Sequence, residues 1–140
     1  MNIWFLLKLY GTTLAAFLII DLTWLGLIAR GFYAKHLGHL MAARTNWPAA
    51  IVFYLLFVLG VIIFAVLPGL EADSLPKALL WGALYGFFTY ATYDLTNLAT
   101  LRNWPVLLTI VDIAWGVFLA TSVSAISFWI GNWMVSQAGL

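Results

Sequence analysis

Residues 47–67, WPAAIVFYLLFVLGVIIFAVL, hold no ionisable group more acidic than Tyr54. A helix needs about 20 apolar residues to cross the hydrocarbon core of a bilayer, and this run is long enough by itself. Trp47-Pro48 suit a first helical turn. Pro68-Gly69 are expected to end the helix, with Glu71, Asp73, Ser74 and Pro76 making the next turn.

Three more apolar stretches lie around this one. Ile3–Ala29 is interrupted by Lys8 and Asp21, Lys77–Leu101 contains Asp94, and 105–129 opens with Trp104-Pro105 and contains Asp112. A loop from Arg30 to Asn46 holds Lys35, His36, His39 and Arg44, and Arg102-Asn103 make a very short turn. Helices joined by short turns pack as antiparallel neighbours. The expected fold is therefore all-α: one polytopic transmembrane domain over residues 1–140, a four-helix antiparallel bundle with no soluble domain. A membrane barrel would need at least about eight alternating strands.

Composition agrees. The chain is 65% hydrophobic and 8% charged, with mean hydropathy +1.04, where a soluble domain carries about 25% charged residues. So little charge cannot cover a water-facing surface, which makes the lipid bilayer the main partner. A net charge of +1 offers no basic field for nucleic acid. The absence of cysteine excludes disulfides, thiolate metal sites and cysteine nucleophiles. The first charged side chain, Lys8, already lies within the apolar stretch, so the N-terminal segment reads as a first span rather than a signal peptide.

Arg30, Lys35, Arg44 and Arg102 occupy the first and third loops without any acid, whereas the other side sets Lys8 and Lys77 against Glu71 and Asp73. The positive-inside rule then places those loops in the cytoplasm and both termini outside. Trp4, Trp47, Trp104, Trp129 and Trp133 fall near span ends, as interface anchors do. Asp21-Leu22-Thr23 is echoed by Asp94-Leu95-Thr96, and Asn46-Trp47-Pro48 by Asn103-Trp104-Pro105. The echo suggests two repeated helix hairpins; the alternative is that Trp-Pro is simply a common way to begin a span.

Of five carboxylates, three lie inside spans: Asp21, Asp94 and Asp112. At about 1.5 Å rise per residue, each sits roughly 12–14 Å in from the cytoplasmic end of its helix. Asp112, Gly116, Ala120 and Ser124 recur every four residues, and so do Gly82, Gly86, Tyr90 and Asp94, with Asn97 beyond. Such small-residue stripes let helix backbones approach closely. Thr13, Phe17, Asp21 and Trp24 share a face of the first span. All three Asp residues are thus expected to point into the bundle, and Tyr54 reaches a similar depth on the second span.

A charged Asp at mid-membrane costs roughly 2.5–3.5 kcal/mol on insertion scales. Protonation, a bound cation or the mouth arginines would offset that cost. In the structural alternative the Asp residues only link helices through Thr23, Thr96, Asn97 or tyrosines. Intramembrane ionisable groups are functional by default, so Asp21, Asp94 and Asp112 become the candidate ligand- or proton-binding residues. Asn97, Tyr54, Tyr90, Trp24 and Trp115 join them as candidate lining, Tyr90, Trp24 and Trp115 with Tyr93 as an aromatic setting. Arg30, His36, His39, Arg44 and Arg102 are candidate mouth or headgroup contacts. His36 and His39 would share a face on a helix, but with no third ligand visible no metal site is assigned, and no cofactor is implied.

Asp21-Leu22-Thr23-Trp24-Leu25, Tyr93-Asp94-Leu95-Thr96-Asn97-Leu98-Ala99-Thr100 and Val111-Asp112-Ile113-Ala114-Trp115-Gly116 together resemble a bacterial family of small four-span membrane proteins, domain of unknown function 2177. The resemblance covers nearly the whole chain and implies a bacterial inner-membrane protein; it carries no activity, substrate or catalytic residue. The residues themselves point first to proton-linked transport or binding of a small cationic or amphipathic solute. An assembly of two or more chains is expected, because four spans are few for a pathway. A membrane-embedded enzyme acting on a lipid at the cytoplasmic leaflet, with carboxylates as acid and base or as holders of a divalent cation, is the second reading. A non-catalytic assembly subunit is the third.

Overall fold

The computed structural model describes residues 1–139, and among them there are helices and no strand. Helix α1 spans Ile3–Thr23 and runs through a π-turn, Trp24–Ile28, toward the short helix α2, Arg30–Leu37. Helix α3, Trp47–Val61, passes through a second π-turn, Ile62–Val66, into α4, Leu67–Glu71. Two long helices follow, α5 over Leu75–Thr100 and α6 over Val106–Gln137. Asn2, Asn46 and Ser74 cap α1, α3 and α5 by accepting a bond from a backbone N–H of the first turn.

Three segments are both long and apolar enough to cross a membrane: Ile3–Ile28, Trp47–Glu71 and Val106–Gln137. The fourth long helix, α5, is diluted by Thr89, Thr92, Thr96 and Thr100, by Tyr85, Tyr90 and Tyr93, and by Asp94. Its four threonine hydroxyls donate back to carbonyls of α5 itself, to Tyr85, Phe88, Thr92 and Thr96 in turn. Large apolar side chains such as Ile19, Leu27, Phe88, Ile110 and Phe118 cover the outside, the reverse of a water-soluble protein and the expected surface in lipid.

Several expected boundaries shift. Pro68-Gly69 does not end the second span, which continues to Glu71. The π-turn just ahead changes the bonding register, so Pro68 falls in a first-turn position of α4 where no N–H is required. Gly69 serves packing instead, since a Cβ there would lie 2.6 Å from Ala78 Cβ at the start of α5. The fourth span also runs beyond 129, as α6 extends to Gln137. The first half of the Arg30–Asn46 loop is the helix α2, with Ala29, Phe32, Tyr33, His36 and Leu37 wholly or partly buried at helical spacing.

The core lies where α1, α3, the second π-turn and α6 meet, on Leu9, Phe17, Phe57, Val58, Val61, Val66, Leu119 and Val123. Lipid gives no hydrophobic drive for this association, so close packing and interhelical hydrogen bonds must hold it. One such bond joins the buried hydroxyls of Thr13 on α1 and Ser127 on α6 at 2.6 Å. The most extensive contact is between α5 and α6, and there the two small-residue stripes face each other. A Cβ on Gly82 would lie 2.9 Å from Ser124 Cβ, one on Gly86 would overlap the Gly116 carbonyl and lie 2.7 Å from Ala120 Cβ, and one on Gly116 would overlap the Tyr90 ring. Each four-residue step along α5 is matched by a four-residue step back along α6. The next rung brings Asp94 beside Asp112.

Candidate functional site

The α5–α6 ladder fixes two of the three intramembrane carboxylates. Close approach of the backbones at Gly82, Gly86 and Gly116 leaves little freedom for the rung that follows, so the facing of Asp94 and Asp112 is a consequence of glycine spacing. Past Tyr90 the bundle opens into a cavity of about 480 Å³. Every helix except α4 contributes to its wall: Asp21 and Leu25 from the first segment, Tyr33 and Leu37 from α2, Ala50, Phe53, Tyr54 and Phe57 from α3, Thr89, Tyr90, Tyr93 and Asp94 from α5, Leu108, Asp112 and Trp115 from α6, and Trp104 just ahead of it.

The three carboxylates are buried, with relative exposures of 3% for Asp21, 0% for Asp94 and 8% for Asp112. Their partners differ. Trp115 Nε1 donates to Asp21 Oδ1 at 3.2 Å, and the Tyr33 hydroxyl donates to Asp112 Oδ1 at 2.5 Å. Trp24 Nε1 in turn donates to the Tyr33 oxygen at 3.1 Å. Neither oxygen of Asp94 has a hydrogen-bond partner. Its polar neighbour is the Asp112 carboxylate, an acceptor like itself unless one of the two carries a proton.

Indole rings frame this set. Trp24 and Trp115 stack with centroids 4.4 Å apart and planes within 8°, which ties the π-turn after α1 to the first third of α6. Tyr33 stands edge-on to Trp24. Burial first, and then the facing Asp112 carboxylate, hold the Tyr33 phenol well above its usual range. Tyr33 therefore remains a hydrogen-bond donor at any physiological pH.

Among the sequence candidates, Asp21, Asp94, Asp112, Tyr54, Tyr90 and Trp115 all line the cavity. Trp24 lies behind the wall, stacked on Trp115 and bonded to Tyr33. Asn97 is off the wall, beside Tyr93. Thr23 and Thr96 do not link the Asp residues to other helices, because each hydroxyl returns to its own helix, at Ile19 O and Thr92 O. None of Arg30, His36, His39, Arg44 and Arg102 reaches the wall. His36 is taken up by the Phe32 carbonyl at 2.9 Å and the Phe32 ring. His39 falls beyond the end of α2, so the two histidines share no helix face. Among the described residues no three His, Asp or Glu side chains come close enough to hold a metal ion.

Sequence reasoning missed Tyr33, which sat in what reads as a polar loop. The spacing of Ala29, Phe32, Tyr33, His36 and Leu37 was the available signal for an amphipathic helix there. It also misplaced Trp104. That residue is 8% exposed, donates from Nε1 to Thr109 Oγ1 at 3.1 Å and stands edge-on to Tyr93, whereas Trp4, Trp47, Trp129 and Trp133 are exposed as anchors should be.

The echoed triplets divide in the same way. Asp21 and Asp94 are both buried, each followed by an exposed leucine and a threonine bonded to its own helix. The two Asn-Trp-Pro triplets differ: Asn46 caps α3, while Asn103 takes a left-handed conformation with φ of 58° and Pro105 occupies the cap of α6.

No curated protein and no solved structure matches this chain. A family model described as predicted membrane protein, domain of unknown function 2177, matches residues 6–129. With a helical, lipid-compatible exterior and a match over most of its length, the chain belongs to this family of membrane proteins.

Proposed function

We propose that this chain is a small-ligand-binding protein of the bacterial inner membrane that exchanges protons at Asp21, Asp94 and Asp112 against a small cationic or amphipathic solute. The observation that carries this reading is a cavity walled by three carboxylates and many aromatic rings with no basic side chain among its lining. Such a wall favours positive charge twice, through carboxylates and through ring faces. Bound charge and bound proton are alternatives there, which is the physical basis of coupling.

In the same reading α5 is a fourth span. Its 26 residues reach about 39 Å at 1.5 Å per residue, its threonine hydroxyls are satisfied within the helix, and Leu80, Trp81, Phe87, Phe88 and Leu95 face outward. The cavity end then carries Arg30, Lys35, Arg44 and Arg102 and faces the cytoplasm, with both termini outside. Two copies would complete a pathway across the bilayer.

Calorimetric titration with small organic ammonium ions, in buffers of different ionisation enthalpy, tests the coupling. Proton release on binding is expected from the wild type and not from the triple variant Asp21→Asn, Asp94→Asn, Asp112→Asn. A triple variant that binds and releases protons like the wild type sinks the reading.

A further inference from the structure

Asp94 is fully buried, lies on the cavity wall, and has two carboxylate oxygens without a donor. A proton placed between Asp94 and Asp112 would satisfy only one of them. What the position lacks is a group that brings both positive charge and several N–H donors. A quaternary ammonium supplies the charge without the donors.

The apolar part of the ligand has a place too. Phe53, Tyr54 and Phe57 form the α3 side of the cavity. Close backbone approach between the second span and α5 comes from the π-turn Ile62–Val66 and from α4, and α3 meets α5 through its second half, where the Tyr85 hydroxyl donates to Phe57 O at 3.2 Å and the Phe57 ring packs on Tyr85 and Tyr90. The two helices therefore diverge at the cavity end, where Phe53 and Tyr93 are 48% and 57% exposed to what would be lipid. No cation on the wall could balance an anionic group attached near the ammonium.

Building on the cation-binding reading above, we propose that the ligand is a protonated primary or secondary amine on an apolar body. Its N–H groups donate to Asp94, and its body lies against the rings of α3 toward the gap between α3 and α5. Asp21 and Asp112, already holding donors from Trp115 and Tyr33, shape the pocket around the charge.

The test compares 2-phenylethylammonium with its N,N,N-trimethyl counterpart, each titrated calorimetrically into the full chain in phosphatidylcholine nanodiscs. Loss of charged hydrogen bonds is expected to weaken the trimethyl compound by about tenfold or more. Asp94→Asn should remove that discrimination, and Ala50→Trp, which fills the wall from α3, should block both compounds with the carboxylates intact. Nanodiscs containing phosphatidylethanolamine should leave amine binding unchanged, since its phosphate would face uncompensated carboxylates. Equal affinity for the two compounds overturns the donor requirement while leaving cation binding standing. Displacement by phosphatidylethanolamine overturns the free amine in favour of a lipid headgroup. Binding of neither compound removes this proposal together with the reading it rests on.

Discussion

The two halves of the α5–α6 interface are built from one four-residue repeat and end in opposite states. Toward the start of α5, Gly82, Gly86, Ala120 and Ser124 bring the backbones so near that a single added methyl meets a carbonyl or side chain. Toward its end the same repeat places Tyr90, Asp94 and Asp112, and the bundle becomes hollow. The closed half holds the helices in register, and the open half uses that register to set two carboxylates side by side. The tight half thus supplies the precision that the hollow half needs.

The largest expected effect comes from breaking the closed half. Gly86→Leu would drive a branched side chain into the Gly116 carbonyl, and overpacking of this severity should cost about 3 kcal/mol or more. Reversible unfolding in mixed micelles would measure it; wild-type stability would show that the ladder is not what fixes the register. The open half should respond with the opposite sign. Asp94→Leu removes a buried carboxyl whose polar neighbour is another carboxylate, Asp112, so the variant should be more stable by about 2 kcal/mol while losing amine binding. A destabilised Asp94→Leu would mean that a proton shared with Asp112 holds α5 and α6 together.

Smaller effects refine the boundary between the two halves. Tyr33→Phe removes the donor to Asp112 and should cost about 1 kcal/mol, the net worth of one intramolecular hydrogen bond. The Tyr33 phenol is raised in the folded protein by burial and by Asp112, so the neutral form is the stabilised one. Its contribution is present below the ordinary tyrosine range near pH 10 and is lost as pH rises above it. The difference in phenolate absorbance between wild type and Tyr33→Phe should therefore show no ionisation of Tyr33 up to about pH 10. The smallest change is Ser127→Ala, at about 0.6 kcal/mol. It breaks the Thr13–Ser127 bond away from the cavity, and amine affinity should not move.

Much of this is legible in the sequence alone. Asp21, Asp94 and Asp112 stand out as three acids in a chain with few, and the stripes Gly82–Gly86–Tyr90–Asp94 and Asp112–Gly116–Ala120–Ser124 already mark packing faces. What a stripe does not reveal is its partner, because small residues permit approach to any complementary face. Trp104 looked like an interface anchor for a similar reason: position near a span end predicts depth, not direction. Pro68-Gly69 reads as a stop because the π-turn that accommodates it, packed against α5 and α6, leaves no local signal in the sequence. Tyr33 was hidden because a short amphipathic helix with charged residues on its outer face reads as a polar loop.

The sequence by itself determined the solvent, since hydropathy and scarcity of charge are properties of composition and leave lipid as the only medium that fits. It also determined which residues are out of place there, because an Asp in an apolar run is costly wherever the helices go. Tertiary structure decided that Asp21 takes an indole donor, Asp112 takes the Tyr33 phenol, and Asp94 faces the Asp112 carboxylate with no donor group of its own. Hydrogen bonds and close packing act over a few ångströms between residues far apart in the chain, so only the register of one helix against another could assign them.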